Sequence, residues 1–258
     1  MSGSLPIRKD TRMKKAASLA LAVVAAHGLP ILARLISKSI DYSSIQAEPV
    51  RELLYMLVTY ALQVAMTLLA IRLFVAKRLA DVGFNLQNRT QSGRMIGRFM
   101  LWWTGILLVF YTLALLFMPS FMDYLRGFCQ PGALYLVKSL AGGAVLAGLG
   151  EEPLYRALIV TVLAAPWQGE WRIGKLRLTH AALLSGIIFM TAHVGYVLLP
   201  QFTVTHLDPL QLCYTFVLGV VWATMFQKTR SLLASTVSHI FANAVQYGLA
   251  YAVVALVG

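Results

Sequence analysis

Charge is what this chain has least of. Only 12 % of its 258 residues are Asp, Glu, Lys or Arg, against 59 % apolar residues and a mean hydropathy of +0.71. Soluble domains carry about 25 % charged residues, so the deficit excludes a soluble globular domain and defines an integral membrane protein. Acid is scarcer still: ten Asp and Glu against 22 Lys and Arg, a net charge of +12. Such an excess can mark a nucleic-acid binder, but here the cations are scattered over short loops between apolar runs. They read as topology signals facing anionic lipid, which makes membrane lipids the expected partner and excludes nucleic acid. The two cysteines, Cys129 and Cys213, form no CxxC and supply neither a disulfide framework nor metal-ligand spacing. No internal repeat is visible, which counts against inverted-repeat transporters.

What is present is a basic head, residues 1–15, followed by seven apolar runs. The first, Ala16–Ile36, is interrupted by His27 and Pro30. It continues past the weak cleavage pattern at Val24 and Ala26, so an uncleaved first helix is favoured over a signal peptide. His27 reads as a polar group at a kink beside Gly28 and Pro30. The remaining runs are Leu53–Ala76, Phe99–Met118, Ala133–Ala165, Ala181–Leu199, Leu210–Gln227 and Leu232–Val257. Residues 16–132 would form N-terminal transmembrane helices, and 133–258 a core with the chain's unusual polar residues. The expected fold is an all-α, polytopic transmembrane bundle of about seven spans. Straight helix over Ala133–Ala165 would run to about 50 Å, beyond a hydrocarbon core of ~30 Å. It must tilt, protrude or break, and a break would fall at Pro153, with Gly148 and Gly150 loosening the same turn. The N-terminus, 77–98, 166–180 and 228–231 hold fifteen Lys and Arg, whereas the alternate loops hold only Lys38, Arg51 and Arg126. That asymmetry predicts a cytoplasmic N-terminus, a C-terminus on the far side, and the plasma membrane if the source is bacterial.

Inside the fourth run lies Gly-Leu-Gly-Glu-Glu-Pro-Leu-Tyr-Arg, Gly148 to Arg156. A charge at the bilayer centre costs about 2.5–3.5 kcal/mol on insertion scales, so two adjacent carboxylates there need a task. Counting from the basic loops puts Glu151 and His193 about 18 Å deep, and His239 and Asn243 about 10–17 Å deep. Three helices therefore bring an acid, two imidazoles and an amide to overlapping depths, read as the cytoplasmic half. Glu152 and Arg156 are i and i+4 and can neutralise each other, while Glu151 is turned about 100° away toward a cavity. Phe189 lies one turn before His193 and can support its ring. Each residue has a plainer explanation. Glu152 with Arg156 can be a structural ion pair, His193 a packing residue, His239 with Asn243 interhelical glue, and Glu151 a transporter's carboxylate. Their coincidence is better explained by a site.

Glu151 to Arg156 fits EExxxR, Phe189 to His193 fits FxxxH, and His239 to Asn243 fits HxxxN. In this order, on three late helices, they resemble the CPBP family of CAAX-prenyl endopeptidases and bacteriocin-processing or Abi-type membrane proteins. The resemblance covers residue 133 to the C-terminus; Tyr155 and Ala157 stand where many members have Phe and Gly. It implies an intramembrane endopeptidase acting on a peptide or lipidated protein tail, opening to the cytoplasmic leaflet. Glu151 would be the general base, His193 would hold the water, and His239 with Asn243 would stabilise the oxyanion. Glu152, Arg156 and Phe189 would be supporting residues. The cofactor is open: Glu151, His193 and His239 are a conceivable zinc set, no HExxH is present, and a metal-independent glutamate mechanism is preferred. A non-proteolytic scaffold or immunity protein of the same fold is the alternative, and a proton- or metal-coupled transporter the third reading.

Overall fold

The computed structural model describes residues 7–75, 78–174, 176–197 and 203–257. It is an all-helical membrane bundle with two small hairpins. Helix α1 is Ile7–Lys38; α2, Glu48–Ala70, runs on as a π turn, Ile71–Val75; α3 is Arg89–Phe117 and α4 the short Phe121–Phe128. Helix α5 spans Ala133–Ala164, α6 is His180–Thr191, α7 is Pro209–Thr229 and α8 is Leu233–Val257. Strands β1 (Glu170–Ile173) and β2 (Leu176–Thr179) pair antiparallel before α6, and β3 (Gly195–Val197) pairs with β4 (Thr203–His206) after it.

Six of these helices are long and apolar enough to cross a membrane. The fifth traverse differs from the expected Ala181–Leu199 span: α6 stops at Thr191, too short to cross alone, and Leu199 lies outside the described residues. The helix tightens as it ends. His193 and Val194 donate to the carbonyls of Met190 and Thr191, three residues back, and the His193 ring takes the Phe189 carbonyl at 2.8 Å. The chain continues into β3, which pairs with β4 ahead of the next helix. Helix α7 restarts at Pro209, with the Asp208 carboxylate accepting from the amides of Leu210 and Gln211.

Helix α5 is the axis of the bundle, touching α1, α2, α6, α7 and α8. It does not break at Pro153. It runs through as alternating segments, with π-helix at Ser139–Leu146 and again at Pro153–Val160. Proline offers no amide, and its ring crowds the carbonyl four residues back. A wider π turn takes up that mismatch without ending the helix. Every residue from Pro153 to Val160 is buried, and Leu154, Ile159 and Ala157 join Ala22 and Ala26 of α1 in the main core. Helix α1 is thus a wall of the bundle. Helix α3 packs on α8 at the periphery and turns Leu101, Trp102, Leu116 and Phe117 outward, as lipid-solvated surface allows.

Gly148 and Gly150 do something other than loosen a turn. A Cβ on Gly150 would meet the Tyr60 ring, and one on Gly148 would lie 2.6 Å from the Ile240 side chain. The bare backbone lets α2 and α8 approach the acidic motif closely.

At the end of the bundle holding the basic loops, the described loops are bonded to one another. Leu232 donates to the Gly83 carbonyl, the Ser231 hydroxyl to the Asn85 carbonyl at 2.6 Å, and Asn88 to the Thr229 carbonyl. Lys15 stands over Trp167, whose indole donates to the Ser18 hydroxyl. Both cysteines are free, Cys129 buried and Cys213 exposed.

Candidate active site

Adjacent positions on α5 send the two glutamates into different surroundings. Glu152 is fully buried and held in a fork: Arg156 Nε donates to its Oε2 at 3.1 Å and Arg156 Nη2 to its Oε1 at 3.4 Å. Arg156, also fully buried, gives Nη1 to the Ser185 hydroxyl and the Gly219 carbonyl, both at 3.2 Å, and lies against the faces of Phe189 and Trp222. The pair therefore fastens α5 to α6 and α7. Burying a charge is tolerable only when it is matched and its donors are satisfied.

Glu151 points the other way, into a cavity of about 850 Å³. Its side chain keeps 19 % exposure. The Tyr60 hydroxyl donates to its Oε1 at 3.4 Å, and His239 Nε2 stands 4.0 Å from its Oε2. Gln63, one turn on from Tyr60, donates to the Gly150 carbonyl at 3.0 Å and pins α2 to the motif.

The imidazoles are oriented by what holds their Nδ1 atoms. His239 Nδ1 lies 3.0 Å from Glu152 Oε1, and a carboxylate only accepts, so Nδ1 carries the proton. Its ring stacks on Trp222 at 4.1 Å, which fixes its plane. His193 Nδ1 faces the Phe189 carbonyl and likewise donates, leaving Nε2 for the cavity it lines. Phe189 meets the His193 ring edge-on at 4.7 Å, the support its spacing suggests. Asn243 is placed differently: its Nδ2 donates to the Gly143 carbonyl at 3.0 Å, tying α8 to the π segment of α5. Glu151 and His193 share the cavity wall, whereas His239 is buried and meets the site through Glu151, 4.0 Å away, and Asn243 is bonded to α5.

Three residues of this site carry no motif. Tyr60 and Gln63 enter from α2, and His27 from α1. His27 is more than a kink residue: Nδ1 meets the Tyr196 hydroxyl at 2.9 Å and Nε2 the Thr191 hydroxyl at 3.3 Å, closing the cavity floor against the end of α6. Arg34 is a further cavity residue, on the same α1 face. The available signal was a polar side chain inside an apolar run.

The cavity opens toward the end where α1 finishes and α2 begins, past Arg34, Lys38 and Tyr55. That is opposite the basic loops, on whose side the opening is expected from the sequence. Depth counted from Leu232 misleads, because Thr229, Ser231 and Leu232 are themselves buried beneath the 83–88 loop. Among the described residues no three His, Cys, Asp or Glu side chains form a cluster of the kind that holds a metal ion.

The fold and site define a polytopic membrane protein with an acid–imidazole centre sunk between its helices. The family model for type II CAAX prenyl endopeptidase Rce1-like proteins matches residues 132–245, from the start of α5 to the middle of α8. That family is one of membrane endopeptidases, and the match is in keeping with the resemblance to CPBP-type intramembrane proteases carried by the three motifs. Helices α1 to α4 lie outside it. Comparison with curated proteins gave no match, and neither did comparison with solved structures.

Proposed function

We propose that this protein is an intramembrane endopeptidase that hydrolyses a peptide bond in a membrane-associated or lipidated tail, with Glu151 activating water. The observation that carries this reading is the division of labour between neighbours. Glu152 is neutralised by Arg156, while Glu151 faces a cavity that His193 also lines, with only a 3.4 Å hydroxyl and an imidazole nitrogen at 4.0 Å on its oxygens. Glu151 takes a proton from a water held by the bare Nε2 of His193, and the hydroxide adds to the scissile carbonyl carbon. The proton then passes to the leaving nitrogen as the C–N bond breaks, giving a carboxylate and an amine.

The developing oxyanion needs donors. Tyr60 gives its single hydroxyl hydrogen to Glu151 in this structure and can turn it to the oxyanion once Glu151 has taken the water's proton. His239 donates only when both its nitrogens are protonated, since Nδ1 is committed to Glu152. Asn243 keeps one amide hydrogen beyond that given to Gly143 and serves as the second donor, or positions α8. No step passes through a metal.

The test is cleavage of quenched fluorescent peptides, prenylated and unprenylated, by purified wild type and Glu151→Gln, each with and without a strong chelator. Turnover by wild type alone, unaffected by chelator, is expected. Turnover retained by Glu151→Gln overturns the base assignment, and chelator-sensitive turnover overturns the metal-free mechanism.

A further inference from the structure

We infer that Arg34 and Lys38 form a subsite for the free C-terminal carboxylate of the peptide, an assignment that rests on the proposed peptidase reading. His27, Ile31, Arg34 and Lys38 recur at helical spacing and share the cavity-facing side of α1. On the remainder of that helix Val24, Leu32 and Ile36 are exposed to the surroundings. A cation whose only task is to reach lipid headgroups has no need of the cavity face.

Both cations also lack a carboxylate partner among the described residues. The acids at this end of the bundle are engaged elsewhere. Glu52 binds Lys138 at 2.7 Å, Glu48 accepts from the Tyr135 hydroxyl at 2.8 Å, and Asp41 accepts from the Ser43 amide at 2.8 Å. Glu151 is the one carboxylate among the described lining residues. The mouth is thus positive and the floor negative.

The separation suits a peptide end. His27 is level with the floor, being bonded to Thr191 and Tyr196, and Arg34 is seven residues beyond it, about 10 Å along the helix. An extended chain covers ~3.3–3.6 Å per residue, so only a few C-terminal residues fit between Arg34 and the level of Glu151. The β3–β4 hairpin stands at the same mouth, with Gly195 and Thr205 on the lining, and a two-stranded sheet has open edges to which extended backbone can add. This favours a peptide over a lipid headgroup as the source of the anion. A guanidinium binds a carboxylate by two parallel hydrogen bonds, the stronger kind.

The experiment reads binding apart from turnover. A fluorescent hydrophobic peptide is prepared with a free C-terminal carboxylate and as its amide, and anisotropy is measured on full-length Glu151→Gln protein in detergent. The carboxylate form should bind on the order of ten- to a hundredfold more tightly. Adding Arg34→Gln should erase most of that preference, and Lys38→Gln or Arg34→Lys, which keeps the charge but not the two parallel bonds, part of it. A preference that survives Arg34→Gln overturns the subsite, as does equal binding of acid and amide. So does a variant that leaves peptide binding alone and weakens a fluorescent phosphatidylglycerol relative to its uncharged diacylglycerol counterpart, because the cations then serve lipid. Carboxylate preference without cleavage of any peptide would unseat the peptidase reading and leave the subsite standing; cleavage without preference would do the reverse.

Discussion

Glu151 and Glu152 show how far one residue's rotation on a helix can separate two roles. Glu152 is matched on every side, so its partner is costly to remove. Arg156→Met leaves a buried carboxylate with His239 and Ser235 but no guanidinium to match it and should cost about 3–5 kcal/mol, read as a lowered Tm in detergent; an unchanged Tm would mean that the pair does not fasten α5 to α6 and α7. Tyr60→Phe tests the other side. It removes only a hydroxyl that reaches Glu151 at 3.4 Å, so Tm should hold while kcat falls by about 10²-fold, the loss typical of one oxyanion donor. A rise in KM with kcat intact would assign Tyr60 to uniform binding instead. Glu151, His193, His239 and Asn243 were legible in the sequence because they carry motif spacing inside apolar runs. Tyr60, Gln63, His27 and Arg34 were not. Each is a lone polar residue on a helix without motif, and only packing says which face of α1 or α2 meets the cavity.

At the scale of elements, spacing and length predicted more regularity than the chain adopts. Apolar composition placed α5 correctly but could not distinguish a break at Pro153 from a π turn, because both answer the same missing amide. It also ran the fifth span on to Leu199, since hydropathy does not register that His193 caps the Phe189 carbonyl and ends α6. Gly150 reads in sequence as looseness and is in the structure a contact surface. Gly150→Ala would press its methyl into the Tyr60 ring, and overpacking of that kind costs about 1–3 kcal/mol. The larger effect should fall on catalysis, as Tyr60 and Gln63 are displaced from the motif. Steady-state kinetics on a folded Gly150→Ala protein should therefore show kcat reduced at least as far as in Tyr60→Phe. Wild-type kcat in that variant would mean that the close approach of α2 does not matter to the site.

For the molecule as a whole, the charge pattern and the cavity together predict the side of the membrane from which a substrate would enter. The described parts of the basic loops lie at one end, where the 83–88 loop is bonded to residues 229–232. The cavity opens at the other end, where the loops hold only Lys38, Arg51 and Arg126. Positive charge follows the cytoplasm, so the mouth should face away from it. The orientation can be measured with single cysteines placed in a Cys129→Ser, Cys213→Ser background, expressed in a bacterial host. Lys38→Cys, at the mouth, should react with a membrane-impermeant maleimide added to intact cells. Arg98→Cys and Lys228→Cys, at the basic end, should react only after the membrane is opened. The reverse pattern would turn the molecule over, placing the mouth in the cytoplasm and making its loops an exception to the charge rule. The substrate would change with it, because a tail that reaches Glu151 from outside the cell must first have crossed the membrane.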